Sequence, residues 1–295
     1  MGAVGEGGVY RGGMGHTGAG MRLRRIAADA AGERTSWASA LAGFDPSRGG
    51  AIKRDGGVSV HRARMVGRDV VVKCWELGSV WSRLKSAWRV SRAYRHCRGS
   101  ERLAGAGVRV ARPMVLATDR GWRREVLVME ALGGPSVLEV AAGRAGLSAR
   151  EEHAVGLAVG RQVAWLALQG VFNRDHKPSN LIVTSADEED AEVSVIDTVD
   201  VRRGKGMGGA YRMLAMLVIE PTGVGVAPRG ALMARVLRSF SEAWLTGVLG
   251  RALSTEADRS ALRELERVTA RRVWGVVSGH GEMRPRVDPL GGAAA

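Results

Sequence analysis

Apolar and polar positions divide the chain into an unpatterned leader, a strand-rich stretch and a helical remainder. Residues 1–45 are rich in Gly and show no apolar periodicity, so they bury too little surface to offset ordering entropy and are predicted to be a disordered leader. Asp45-Pro46 and Gly49-Gly50 punctuate its end. From Ala51 the pattern changes. Val58–Val60, His61–Val66 and Gly67–Lys73 read as three short strands parted by glycine turns, with Gly56-Gly57 in the first turn and Gly67-Arg68 in the second. Trp75–Leu103 reads as one basic helix, with Trp81, Leu84 and Trp88 at three- and four-residue spacing. Val108–Pro113 and Pro113–Thr118 are extended, and Glu125–Met129 is a further strand. It ends at Glu130, before the flexible connector Ala131-Leu-Gly-Gly134.

Beyond the connector the period lengthens. Ser148-Ala-Arg-Glu151 is a capping box that opens a helix to about Gln169, and Gly170 closes it. Two apolar runs follow, Leu181–Val183 and Val193–Ile196, parted by the acidic tip Ala186–Glu192, which reads as a solvated turn. Gly204–Gly209 reads as a loop. Helices are predicted over Ala231–Leu249 and from Ser254 to about Val277, and residues 283–295 as a frayed tail. The domain plan is therefore leader 1–45, a strand-rich lobe 46–130, a helical lobe 131–282 and the tail.

Composition adds two constraints. The net charge of +14 favours polyanionic partners, although Arg is spread along the whole chain, which fits a genome-wide preference for Arg and Gly. Cys74 and Cys97 are too few and too far apart for a disulfide framework or a zinc site, and read as free thiols of a reducing compartment. No apolar run reaches about 18 residues, so no transmembrane helix is predicted. A cytoplasmic protein, peripheral at most on the inner face of a membrane, is the expectation.

The chemistry concentrates in Asn173-Arg-Asp-His-Lys-Pro-Ser-Asn180 and in Asp197, which ends the second apolar run. Asp175 is placed to orient and deprotonate a hydroxyl. Lys177 can neutralise charge on a transferring phosphoryl group, and Asn180 offers a hard amide oxygen to Mg²⁺. Any one of these is unremarkable as a polar loop residue. Together, at this spacing, they are the equipment of phosphoryl transfer.

The order and spacing resemble the catalytic loop and metal-binding turn of the protein-kinase-like fold, with Asn173-Arg174-Asp175 in place of His-Arg-Asp. That resemblance implies an α+β, bilobal fold, with ATP between a small strand-rich N-lobe and a helical C-lobe. It also implies that Asp197 holds Mg²⁺ with Asn180, and that Lys73, closing Val-Val-Val-Lys, pairs with the ATP phosphates. Gly56-Gly57 then occupies the place of the phosphate-covering loop, and Glu130 belongs to the same nucleotide site. Ile196-Asp-Thr-Val-Asp200, the basic linker Val201–Arg203 and Ser91–Arg95 leading to Pro113 look like the lipopolysaccharide kinase group, which phosphorylates Kdo or heptose. The likeness covers roughly residues 50–220.

Two features depart from the pattern. His96 stands where the strand lysine's glutamate partner is expected, with Glu101 the nearest acid and out of register. No activation segment follows Asp197. The resemblance therefore implies Mg·ATP-dependent transfer to a core sugar hydroxyl, against the alternatives of a Ser/Thr protein kinase or a weak pseudokinase. The basic Trp helix is read as packing its indoles on the small lobe, with docking to an anionic membrane as the other option. Specific nucleic-acid binding is not expected.

Overall fold

A computed structural model describes residues 21–46, 50–204 and 206–280. It divides into two compact units, Met1–Arg98 with Ala111–Ala131, and Gly99–Val110 with Leu132–Ala295. The first is strand-rich and the second mostly helical, the α+β kinase-like division expected.

The first unit is built on a six-stranded sheet in the order β1-β5-β6-β4-β3-β2, antiparallel throughout. Its strands are β1 (Met21–Ile26), β2 (Ala51–Asp55), β3 (Val58–Met65), β4 (Arg68–Glu76), β5 (Pro113–Asp119) and β6 (Arg124–Glu130). Each face of the sheet has its own core. Val70, Val72 and Cys74 of β4 meet Met114, Val126 and Val128 beneath helix α1 (Arg34–Ala42), which contributes Trp37 and Leu41. The alternate residues Val71 and Trp75 meet Leu127 and Met129 beneath the first half of helix α3 (Arg92–Gly105), through Ala93, Tyr94 and Cys97.

Four expectations for this region need correction. The leader is not structureless from Met21 onward: β1 pairs with β5, and α1 seals one core. Met21-Arg-Leu-Arg-Arg-Ile26 hides its alternation because a bulge between Leu23 and Arg25 shifts the register by one residue. Residues 1–20, Gly49 and the tail 283–295 lie outside the described residues. Second, 58–60 and 61–66 form the single strand β3, and the third strand is Ala51–Asp55. Third, Trp75–Leu103 is not one helix. The sheet runs on to Glu76, and Ser79 then caps helix α2 (Val80–Ala87). Arg89 adopts φ +57°, which breaks the helix before α3 begins. Fourth, Lys73 does not close its strand but sits inside β4.

A buried carboxylate holds the α2–α3 elbow. Glu125 of β6 accepts from Ser86 Oγ (2.5 Å) and Ser91 Oγ (2.9 Å). Burial pushes its pKa above the ordinary carboxylate range, against the pull of the two hydroxyls and of Arg24.

The second unit packs helix α4 (Val137–Ala141), α5 (Ala149–Leu168), α6 (Met207–Gly223), α7 (Gly230–Leu249) and α8 (Glu256–Gly279) around two ribbons. One ribbon pairs β7 (Val171–Asn173) with β10 (Val201–Arg203), the other β8 (Leu181–Ala186) with β9 (Ala191–Val195). The Ser148 capping box is formed as read, and Gly170 takes φ +63° just past the α5 terminus. The expected Gly204–Gly209 loop is shorter than thought, since α6 begins at Met207. The acidic tip is a turn in which Asp187 accepts the amides of Glu189 and Asp190.

Helices α5 and α7 approach through glycine. Gly156 faces Leu232 and Arg235, and a Cβ on Gly160 would run into the Val236 carbonyl and the Phe240 amide. Gly160→Ala is therefore expected to cost about 1–3 kcal/mol by overpacking. A thermal melt followed by circular dichroism should show Tm lowered by several degrees relative to wild type.

Candidate functional site

The loop from Asn173 to Asn180 and the Asp197 segment lie in the second unit. Strand β7 delivers the chain from α5 into the loop Arg174–Lys177, and a short 3-10 turn, Pro178–Asn180, hands it to β8. Pro178 fits the first position of that turn because it has no amide hydrogen to satisfy. The loop is thus pinned at both ends by regular structure, and its polar side chains bond to one another.

Asn173 is fully buried and acts as the tie. Its Oδ1 accepts the Asp175 amide (3.2 Å), and its Nδ2 donates to the Asp197 carbonyl (3.3 Å). One carboxamide therefore fixes the spacing of the two segments that carry acids. The Ile196 amide donates to the Asn180 carbonyl (3.0 Å), a second link, and the Arg174 amide to the Asp200 carbonyl (3.2 Å), a third.

The Asp175 carboxylate is shared. Lys177 Nζ lies 2.8 Å from Asp175 Oδ1, and Asn180 Nδ2 donates to Asp175 Oδ2 and to the Asp175 backbone carbonyl, both at 3.1 Å. Asp175 and Lys177 are each about one-third exposed, open enough to meet a substrate. Burial disfavours the lysine charge, but the bond to Asp175 and the fields of Asp175, Glu220 and Asp197 outweigh it, and its pKa lies above the ordinary value.

Glu220, on α6, is the residue that sequence reasoning missed. Its carboxylate accepts the Ser179 amide (2.8 Å) and the Ser179 hydroxyl (2.6 Å), so the helix grips the loop from below. Burial raises its pKa, while Ser179 and Lys177 pull the other way. A signal was available: Glu220 is an isolated acid ending the apolar run Met213–Ile219, and a buried charge demands a partner.

The second acid is held from the other side. Asp197 Oδ1 accepts the Val199 amide (3.3 Å), and Thr198 Oγ1 lies 2.9 Å from Ser100 Oγ on the second half of α3. Gly99 permits that approach, because a Cβ there would collide with the Thr198 carbonyl. Asp200 pairs with Arg202 at 3.5 Å.

The donors fit Mg²⁺. Asn180 spends its amide nitrogen on Asp175, which leaves Oδ1 as a hard oxygen, and Asp197 adds a carboxylate. Among the described residues no cluster of three or more His, Cys, Asp or Glu forms a metal cage. Mg²⁺ bound with a nucleotide needs only one or two protein ligands, the rest being phosphate and water.

In the first unit Lys73 pairs across the sheet with Val60 and Leu127, on the face that α3 covers. The part of α3 packed there carries the buried His96 and no carboxylate, and Glu101 is exposed. Gly56 and Gly57, at φ +50° and +80°, form the two-residue turn of the β2–β3 hairpin. Glu130 ends β6 opposite Val70, its amide bonded to the Arg112 carbonyl (3.0 Å).

His176 is fully buried, and neither ring nitrogen has a hydrogen-bond partner. Burial holds its pKa down to about 4, from an ordinary 6.5. The unfolded chain thus takes up this proton at higher pH than the folded one. The neutral ring's share of stability is whole above pH 6.5 and is lost as pH falls toward 4, by about 2 kcal/mol at pH 5. Buried Glu125 and Glu220, with raised pKa values, act in the opposite direction, so a difference measurement is needed. His176→Leu removes only the imidazole term. Its Tm should match or exceed wild type at pH 7, and its lead should widen by several degrees at pH 5.

Comparison with the curated proteins gave no match. The family model of lipopolysaccharide kinases (Kdo/WaaP) matches residues 50–203. That span is just over half of the chain and takes in Lys73, Asp175, Asn180 and Asp197. It leaves out β1 and α1 at one end and α6 to α8 at the other. On this match, the chain belongs to the lipopolysaccharide kinase (Kdo/WaaP) family.

Proposed function

We propose that the protein is a Mg·ATP-dependent phosphotransferase acting on a hydroxyl of a lipopolysaccharide-core sugar, Kdo or heptose. The observation that carries this reading is the Asp175 carboxylate, held by Lys177 and Asn180 on a loop that Asn173 ties to Asp197. A carboxylate clamped this way is oriented before substrate arrives, which is where much of the benefit of positioning lies.

In this reading Asp175 accepts the proton of the acceptor hydroxyl as its oxygen bonds to the γ-phosphorus, while the bond to the β–γ bridging oxygen breaks and ADP leaves. Lys177, whose charge the surrounding acids secure, offsets the negative charge gathering on the equatorial oxygens. Asn180 Oδ1 and the Asp197 carboxylate hold the metal. Bound Mg²⁺ would supply neutralisation of the β- and γ-phosphate oxygens. Lys73 takes the α- and β-phosphates, the Gly56-Gly57 turn brings backbone amides near them without an intervening Cβ, and Glu130 lies at the nucleotide site.

One observation favours a second reading, a catalytically silent relative: His96 stands on α3 where the glutamate partner of Lys73 is expected. A single assay separates the two. Purified protein with Mg·ATP should phosphorylate Kdo- or heptose-bearing core acceptors. Asp175→Ala should lower turnover by about 100-fold or more while leaving Tm within a few degrees. Equal rates for wild type and variant would remove the assignment, and labelled phosphate arriving on proteins instead of sugars would redirect it to a protein kinase.

A further inference from the structure

The indoles of α2 do not pack on the sheet. Trp81 is 67% exposed, Trp88 65% and Val80 70%, with Val90 at 43% just beyond. Trp81, Lys85 and Trp88 follow i, i+4, i+7 spacing and share one face of the helical turn. The opposite side of the helix is its anchor, where Ser86 is fully buried on Glu125 and Arg83 Nε donates to the Leu77 carbonyl (3.2 Å). The elbow is therefore fixed underneath and open above. Between Leu77 and Ser100 the chain carries six cations (Arg83, Lys85, Arg89, Arg92, Arg95 and Arg98) and no carboxylate.

We propose that this face of α2 and the elbow behind it is a docking surface for an anionic phospholipid bilayer. The chemistry selects that partner. Indole rings on a convex helix, flanked by aliphatic Val and by cations with long stems, match the headgroup–acyl boundary. Lys85, which shares the indole face, meets the negative lipid surface at the same depth as the rings. A second copy of the chain fits poorly, because a two-fold contact would set these cations against themselves. Single-stranded nucleic acid fits poorly as well, since stacking proteins track the backbone along a groove and α2 presents a convex ridge. This inference does not depend on the phosphotransfer reading. An enzyme with any acceptor would be held at a membrane by it.

Vesicle flotation tests the proposal directly. The full chain should float with phosphatidylcholine vesicles containing phosphatidylglycerol, far less with phosphatidylcholine alone, and less as salt is raised. Trp81→Ser with Trp88→Ser should abolish flotation at unchanged Tm, both side chains being largely in solvent. Lys85→Gln should weaken it about fivefold. The proposal is overturned if wild type does not float, if it floats equally with neutral vesicles, or if the double Trp variant floats like wild type. Loss in that variant of oligonucleotide binding or of dimerisation, with flotation intact, would likewise overturn it and assign the face to that partner.

Discussion

The carboxamide of Asn173 sets the conditions for everything else in the second unit. It is buried, its oxygen holds the Asp175 amide and its nitrogen holds the Asp197 carbonyl. Asp175 and Asp197, to which the proposed reaction assigns hydroxyl activation and metal binding, lie on segments 22 residues apart in sequence. They can cooperate only if that spacing is fixed to a fraction of an ångström. A side chain with one donor end and one acceptor end does this without bringing a charge into the core. Removing it would leave two partly buried backbone groups unpaired, each a loss of about 1 kcal/mol.

Around this tie the packing is arranged to hold the loop from three directions. Glu220 grips Ser179 from α6, the second half of α3 presses on Thr198 through Gly99 and Ser100, and the β7–β10 ribbon carries Asn173 opposite Val201. The electrostatic field around the loop is negative. Lys177 is surrounded by Asp175, Glu220 and Asp197, and it keeps its proton although partly buried. His176 is the exception, a neutral ring buried without partners beside the most polar residues of the site. Its cost falls on stability at low pH and not on the geometry of the loop.

Much of this was readable from the chain, for physical reasons that differ by element. The Asn173–Asn180 segment was legible because its residue types have few other uses at that spacing, and Ser148 and Gly170 because caps are local chemistry. The α2–α3 break was hidden: the apolar spacing of Trp81, Leu84 and Trp88 runs through it, and the positive φ of Arg89 leaves no mark in composition. Strand β1 was hidden by its bulge and by three arginines in six residues. The Trp face was misassigned because periodicity states which residues share a side but not which side meets the core. Burial of Ser86 on Glu125, a contact across 39 positions, turned the helix over. Glu220 was missed for a similar reason, since its partner Ser179 lies 41 residues away.

The central claim is that Asn180 and Asp197 jointly hold a divalent cation with a nucleotide. Mn²⁺ titrated by electron paramagnetic resonance, with a non-hydrolysable ATP analogue present, reads this without relying on turnover. Wild type should bind Mn²⁺ more tightly when the analogue is present, and Asn180→Ala and Asp197→Ala should each abolish that gain while the fold persists. Undiminished nucleotide-dependent Mn²⁺ binding in both variants would contradict the account.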